Sequence, residues 1–298
     1  MNKYMKIFSV ILCLLLASLA FAFYQYQTPR IFRQGDDIIA VKRLTSPQCL
    51  SHALSHFGKT ERVSLNVTGS GFLNLDDLDA FIAQKAISKD KIYIINLHDA
   101  PIYYIGAHAL DSYGYKMVDG KLQKGKLTSF FKRLFTRMEI FLYEIQSGKK
   151  IDSLTKEDLM TEKEAIQALG FQYLEPLKEG WTRDWYYIND LLKLFESIPE
   201  DGWIYFHCER GRGRTTSLLL LYDIFKNAKN LSLEEILRHQ YCIGGEDIEN
   251  TQIWKNGTWS QDELNDRKDL IHEFYDYMND PKGYPKTDFI QWQGLKRS

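Results

Sequence analysis

The sequence predicts an α/β fold, and three observations predict it. Helical and strand patterns alternate through the second half of the chain. Two short runs, residues 91–97 and 203–207, have the β-branched and aromatic content of buried strands. Thr161, Ser232 and Ser260 are each followed three residues later by glutamate, the capping-box signature of a helix start.

The elements follow in order. Lys3 and Lys6 form a positive segment, residues 7–16 are apolar, and Ala20 and Ala22 are small. That is the pattern of a secretory signal peptide over 1–22, cut after Ala22. The alternative is an uncleaved membrane anchor, for which the uncharged run 7–23 is slightly short. Residues 24–60 read as irregular, with a turn at Gly35, Asp36 and Asp37. Asp76 and Asp77 open a helix over 78–86, and a buried strand follows at 91–97. Residues 102–147 alternate short aromatic or apolar runs with Gly114, Gly120 and Gly125, which predicts a small β-rich insertion. Thr161 and Glu164 start a helix that Gly170 ends, and a strand lies near 171–174. A helix over 184–197 carries Ile188, Leu191, Leu192 and Phe195 on one face. Strand 203–207 leads to a mostly apolar helix over 214–227. A final helix buries Leu270, Ile271, Phe274 and Tyr277. The organisation expected is a leader at 1–22 and one domain at 23–298, with 102–147 as its insertion.

Composition limits function. The chain has 298 residues, 44% hydrophobic and 26% charged, which excludes a disordered, collagen-like or multi-pass membrane protein. A net charge of −1 argues against a general nucleic-acid binder, which needs excess Lys and Arg to neutralise phosphates. Export implies an oxidising compartment, where Cys49 and Cys242 can pair and leave Cys208 free. No His/Cys cluster has metal-ligand spacing, so neither a metal nor another cofactor is expected.

Residues 207–216 run from His207 and Cys208 to Arg214, Thr215 and Thr216, between a buried strand and an apolar helix. Gly211 and Gly213 let the backbone curl so that N–H groups converge on one point. A helix N-terminus adds its dipole, which favours an anion and stabilises a thiolate at Cys208. The Arg214 guanidinium offers a planar fork for two phosphate oxygens. The Thr215 hydroxyl can donate to the sulfur as it leaves, and His207 orders the loop by hydrogen bonds. Glu209, Arg210, Gly211, Arg212 and Gly213 complete the substrate-binding loop.

This segment resembles the Cys-x5-Arg phosphate loop of the protein-tyrosine-phosphatase superfamily. The wider chain resembles the bacterial phosphatase-like cysteine phytases. It carries Pro29, Phe32 and Arg33 as the entry segment, then residues 68–71 and the loop. Arg238 to Gln240 with Gly244 and Gly245 follow, and then Arg267, Leu270, Phe274, Tyr275 and Tyr277. The resemblance covers about residues 29–280. It implies a phosphatase-like core with a central mixed sheet flanked by helices, and hydrolysis of phosphomonoesters through a phosphocysteine. Two positions depart from the family pattern. Its Asp-Leu-Arg is Asn96, Leu97 and His98 here, and its general-acid Asp-His is Glu179 and Gly180. Glu179 is therefore the aligned acid, with Asp184 as the nearby alternative.

Arg210 and Arg212 beside Arg214 suit a substrate with several phosphates, such as an inositol polyphosphate; the alternative is that they form structural ion pairs. Residues 116–137 hold seven Lys and Arg against Asp119 alone, and can focus an anion, rest on an anionic membrane or form a solvated face. The leading expectation is an exported inositol-polyphosphate phosphatase acting on a phosphorylated small molecule, without nucleic acid, touching membrane only if the N-terminal segment is retained. The rivals are a protein-tyrosine or dual-specificity phosphatase and a catalytically weakened module that binds phosphorylated ligands.

Overall fold

A computed structural model of the protein describes residues 33–34, 49, 63, 65–71, 73–98, 101–105, 108–118, 121–124, 137, 140–141, 143–174, 187–253 and 259–297. These divide between two compact units, Leu110–Leu159 and Ile31–Ala109 with Met160–Ser298. The expected leader at 1–22 lies outside the described residues.

The larger unit is built on a five-stranded mixed sheet. Its strands are β1 (Arg33–Gln34), β2 (Val67–Ser70), β3 (Ile92–Asn96), β9 (Gln172–Leu174) and β10 (Trp203–His207), in spatial order β1-β2-β10-β3-β9. Only β1 runs antiparallel. The central strand β10 aligns Tyr205 with Thr68 on one side and Ile94 on the other. A second, three-stranded antiparallel sheet joins β4 (Tyr103–Ile105) to β5 (His108–Ala109) and β8 (Met160–Thr161).

Both faces of the mixed sheet are buried, and the period-2 alternation of the strands sorts residues between them. Ile95, Ile204 and Phe206 join one apolar cluster. It includes residues of α3 (Ile188–Ser197), α4 (Gly213–Asn227), α5 (Leu233–Cys242), α6 (Gln261–Asn279) and α7 (Phe289–Arg297). Ile92, Ile94 and Tyr205 join a second cluster with residues of α1 (Leu75–Lys85) and α2 (Glu162–Ala168). Helix α4 carries Leu218, Leu219, Leu220 and Leu221, all buried, so it is covered all round rather than on one stripe. Truncating Leu218 or Leu219 to alanine would cost ~2–5 kcal/mol.

The helix starts follow local chemistry. Thr161, Ser232 and Ser260 accept from the N–H three residues on, and Glu164, Glu235 and Glu263 reach back, as the sequence predicts. Helix α1 starts earlier than expected because the Asn74 side chain accepts from both Asp76 and Asp77 N–H, at 2.9 and 3.1 Å. Strand β1 occupies part of the segment read as irregular. Helix α7 lies beyond the helix expected to be last. It is held by Phe289 and Trp292, whose rings stand 5.2 and 5.4 Å from that of Tyr277.

Residues 102–147, read as one insertion, contribute to both units. β4 and β5 belong to the larger. The smaller holds the hairpin of β6 (Tyr115–Val118) and β7 (Lys121–Lys124). Within it the Tyr115 hydroxyl donates to Asp152 at 2.9 Å.

Candidate functional site

Cys208 follows directly on β10, at the carboxyl end of the central parallel strand, and α4 begins five residues later. In open α/β sheets that edge is where ligands bind. Cys208 is buried, 4% exposed, and is a free thiol; Cys49 and Cys242 form a disulfide with Cα atoms 5.5 Å apart.

Two donors face the Cys208 sulfur. The Gly211 N–H lies 3.2 Å from Sγ and the Thr215 hydroxyl 3.1 Å from it. The Thr215 hydroxyl is also 3.2 Å from the Ser70 carbonyl. It has one proton, so it can serve the sulfur when that atom is negative and the carbonyl otherwise. Thr215 is wholly buried, which fixes the hydroxyl beside the sulfur.

The loop curls because of its glycines and its neighbour strand. Gly211 has φ +64, in the left-handed region. A Cβ there would lie 2.3 Å from Gly71 N and 2.4 Å from Ser70 C, so the loop backbone rests directly on the end of β2. An isolated bridge pairs Gly71 with Arg210, and Cys208 N–H donates to the Ser70 carbonyl at 3.4 Å. Gly69 allows the same approach from below: its Cβ would be 2.4 Å from Thr215 Cγ2. Gly213 differs from the expectation. It is the first residue of α4 and does not have positive φ, so the sharp turn falls on Gly211 alone.

Arg214 donates from Nη1 to the Leu97 carbonyl at 2.5 Å. That carbonyl is placed by a turn in which Asn96 Oδ1 accepts from His98 N–H at 2.7 Å, and Leu97 N–H donates to His207 O at 2.7 Å. Asn96 and His98, the departures from the family pattern, thus build the shelf on which the motif arginine rests.

The remaining loop residues separate into outer and inner sets. Glu209 and Arg210 are exposed, with Arg210 Nε 3.8 Å from Glu209 Oε1. Arg212 Nε is 2.6 Å from Glu246 Oε1. His207 is wholly buried. Its Nε2 is 3.1 Å from the buried Glu162 Oε1, without hydrogen-bond alignment. The Tyr104 hydroxyl lies 3.3 Å from the same carboxylate and 2.8 Å from the Leu73 carbonyl. The Tyr205 hydroxyl donates to Ser70 Oγ at 2.8 Å, and Ser70 Oγ donates to Gly71 O at 2.8 Å. Burial pushes the Tyr104 and Tyr205 phenols above the usual tyrosine range, which keeps both neutral.

Glu179 and Asp184, the two candidate acids, lie outside the described residues. So do residues 125–136 of the basic stretch, whose other members belong to the smaller unit. Within that unit Lys116 Nζ is 3.6 Å from Asp111, and Lys124 Nζ lies 5.4 Å from the centre of the Tyr115 ring. Sequence reasoning missed Ser70, Glu162 and Glu246. Ser70 sits inside the 68–71 segment that the resemblance marks; the two glutamates carry no local signal. Among the described residues no group of His, Cys, Asp and Glu is arranged to hold a metal ion.

Known proteins resemble this chain in part of its sequence and in its fold. A family model described as PTPlike_phytase, inositol hexakisphosphate, matches residues 134–226, which include the loop. AvrBs1.1 of Xanthomonas campestris pv. campestris, an uncharacterised protein, is 32% identical over 90 residues, 30% of this chain and 86% of that one. The effector protein hopD2 of Pseudomonas syringae pv. tomato is 25% identical over 187 residues, 60% of this chain and 39% of its own length. The fold matches that of the PTP-like myo-inositol phosphatase of Mitsuokella multacida, solved in complex with myo-inositol-(1,3,4,5)-tetrakisphosphate. The TM-score is 0.60 at 20% identity, over 91% of this chain and 46% of that one. A PTP-like phytase of Bdellovibrio bacteriovorus matches with a TM-score of 0.54 at 22% identity, over 78% and 87% of the two chains. The chain thus spans less than half the length of hopD2 and of the Mitsuokella protein.

Proposed function

Because the chain belongs to the protein-tyrosine-phosphatase-like phytase family, we propose that it is a cysteine-dependent phosphomonoesterase acting on inositol polyphosphates. One observation carries the reading. A buried free thiol at the carboxyl end of the central strand faces the Gly211 N–H and the Thr215 hydroxyl, beside the first turn of a 15-residue helix. Both donors can hydrogen-bond the sulfur when it carries negative charge.

In the proposed reaction the Cys208 thiolate attacks phosphorus in line. The S–P bond forms as the ester P–O bond breaks. The Glu179 carboxyl gives its proton to the leaving oxygen, and the free alcohol departs. Loop amides and the Arg214 fork hold the equatorial oxygens as charge spreads over them. Water then attacks phosphorus, Glu179 takes its proton, and the S–P bond breaks to release inorganic phosphate. The Thr215 hydroxyl, turning from the Ser70 carbonyl to the sulfur, stabilises the thiolate as it leaves. The mechanism asks for no metal or cofactor.

Inositol polyphosphate is favoured as substrate by the family description, by the tetrakisphosphate seen in the Mitsuokella protein and by the extra arginines of the loop. Export through residues 1–22 remains part of the proposal. Among the described residues no helix is long and apolar enough to cross a membrane.

The test is phosphate release from inositol hexakisphosphate and from a phosphotyrosine peptide by the wild type, Cys208→Ser and Glu179→Gln. The wild type is expected to prefer the inositol phosphate. Cys208→Ser should abolish turnover, and Glu179→Gln should lower kcat by about 100-fold or more. Strong preference for the peptide would replace the substrate assignment. Release by Cys208→Ser at the wild-type rate would overturn the mechanism. No release from either substrate by the wild type would make the protein a phospho-ligand-binding module.

A further inference from the structure

Glu246 stands on the segment after α5 and is locked to the helix that the phosphate loop opens. Its N–H donates to Thr216 Oγ1 at 3.2 Å, and the preceding Gly245 N–H donates to Gln240 O at 2.8 Å. Its carboxylate is mostly buried, 16% exposed, and meets Arg212 Nε at 2.6 Å, while the Arg212 side chain is 65% exposed. On the inner side lies Arg267, a buried arginine stacked 4.9 Å from the centre of the Trp259 ring. Burial pulls the Arg267 guanidinium down to about 10, and the charges of Glu246 and Asp247 oppose that pull.

Arg212 meets the Glu246 carboxylate directly, whereas Arg267 acts on it as a buried charge. Arg212 is out in water, where an ion pair is weak and a phosphate dianion can replace the carboxylate. Arg267 is buried, and its positive charge still acts on Glu246 when Arg212 leaves. We propose that Glu246 is a specificity-determining residue: it occupies Arg212 in the ligand-free loop and gives it up to a second phosphate group of the substrate. This rests on the phosphatase reading above. Arg212 is thereby a conditional ligand for a second phosphate group: a polyphosphate must first displace the carboxylate to reach it, and a monophosphate has no second group to place there.

The experiment compares the full chain with Glu246→Gln, Arg212→Gln and the double variant. Substrates are inositol hexakisphosphate and p-nitrophenyl phosphate, at low and at 0.5 M salt. Glu246→Gln keeps the shape and the backbone hydrogen bond but frees Arg212. It should lower KM for the hexakisphosphate about three- to fivefold at low salt, with kcat little changed and a much smaller effect on the monophosphate. The gain should vanish in the Arg212→Gln background, where the pair no longer exists. Arg212→Gln alone, a change at an exposed side chain, should raise KM for the hexakisphosphate. An unchanged or higher KM in Glu246→Gln overturns the inference, as does a shift of the same size in the double variant.

The same variants in a Cys208→Ser background, titrated with inositol hexakisphosphate by calorimetry, read the inference without turnover. Tighter binding by Glu246→Gln there, with no turnover in the parent chain, would retain the gate and remove the enzyme. Absence of binding would remove both.

Discussion

Gly211→Ala tests the loop most directly, because two separate costs can be worked out for it. The first is conformational. Gly211 has φ +64, and an L side chain there costs ~1–2 kcal/mol. The second is steric. The new Cβ would lie 2.3 Å from Gly71 N, 2.4 Å from Ser70 C and 2.7 Å from Ser70 O. These are backbone atoms of a paired strand, so no flexible side chain can give way, and overpacking of this kind costs ~1–3 kcal/mol. The sum is ~2–5 kcal/mol, or roughly a 3–8 °C fall in Tm for a chain of this size. The alternative to unfolding is that the loop lifts from β2, which draws the Gly211 N–H away from the Cys208 sulfur. A hydrogen bond to a charged group contributes ~1.5–3 kcal/mol, so kcat/KM should fall about 10- to 100-fold.

Gly170→Ala is the control. Gly170 also has positive φ, +89, but nothing lies within 4 Å of its added Cβ, so only the conformational cost applies. Thermal melts and phosphate-release kinetics on both variants separate the two costs. Gly211→Ala with wild-type stability and activity, or with a loss no larger than that of Gly170→Ala, would refute the close approach of loop and strand.

Three further outcomes are expected. Reducing the Cys49–Cys242 disulfide, or Cys242→Ala, opens a cross-link between residues 193 apart, which a chain-entropy argument values at about 5 kcal/mol; a denaturant midpoint unmoved by reductant would refute it. Burial holds the hydroxyls of Tyr222, Tyr277 and Tyr284 at about 12. An acid with a raised folded pKa stabilises fully below its unfolded value and loses that contribution as pH rises through the folded one. Stability should therefore fall between about pH 10 and 12, read by tyrosinate absorbance and circular dichroism together, and tyrosines ionising near pH 10 in folded protein would contradict it. Gln240→Leu removes the 2.9 Å donor to the buried Asp223 carboxylate, which also accepts from Asn227 at 3.0 Å, and should cost ~1–3 kcal/mol in urea unfolding; no change would show that water replaces the amide.

Much of the fold was legible because the signals are local. A capping box lies within four residues, and strand 203–207 declares itself by composition. The Cys-x5-Arg loop is legible for the same reason: Cys208, Gly211, Arg214 and Thr215 lie within eight consecutive residues, so their arrangement comes from contiguous chain. Helix α7 escaped notice because a nine-residue segment containing Gly294 has little intrinsic helicity. Its helix rests on Phe289 and Trp292 reaching Tyr277, a contact between separate elements. Asn74 escaped because two aspartates after it offered a competing start.

By itself the sequence determined the α/β class and the family resemblance, and it supplied Cys208 as the proposed nucleophile and Arg214 as the proposed phosphate ligand. Only the tertiary structure decided what surrounds them. It set the Ser70 carbonyl against the Thr215 hydroxyl, Glu162 beside His207, the Leu97 carbonyl under Arg214 and Glu246 on Arg212. It also joined Cys49 to Cys242. Each of these pairs is distant in the chain, and each depends on which strands neighbour β10 and which helix ends meet the loop. Residue type states what a side chain can bond. Only the packing of the sheet and its helices settles which of many chemically equal partners it meets.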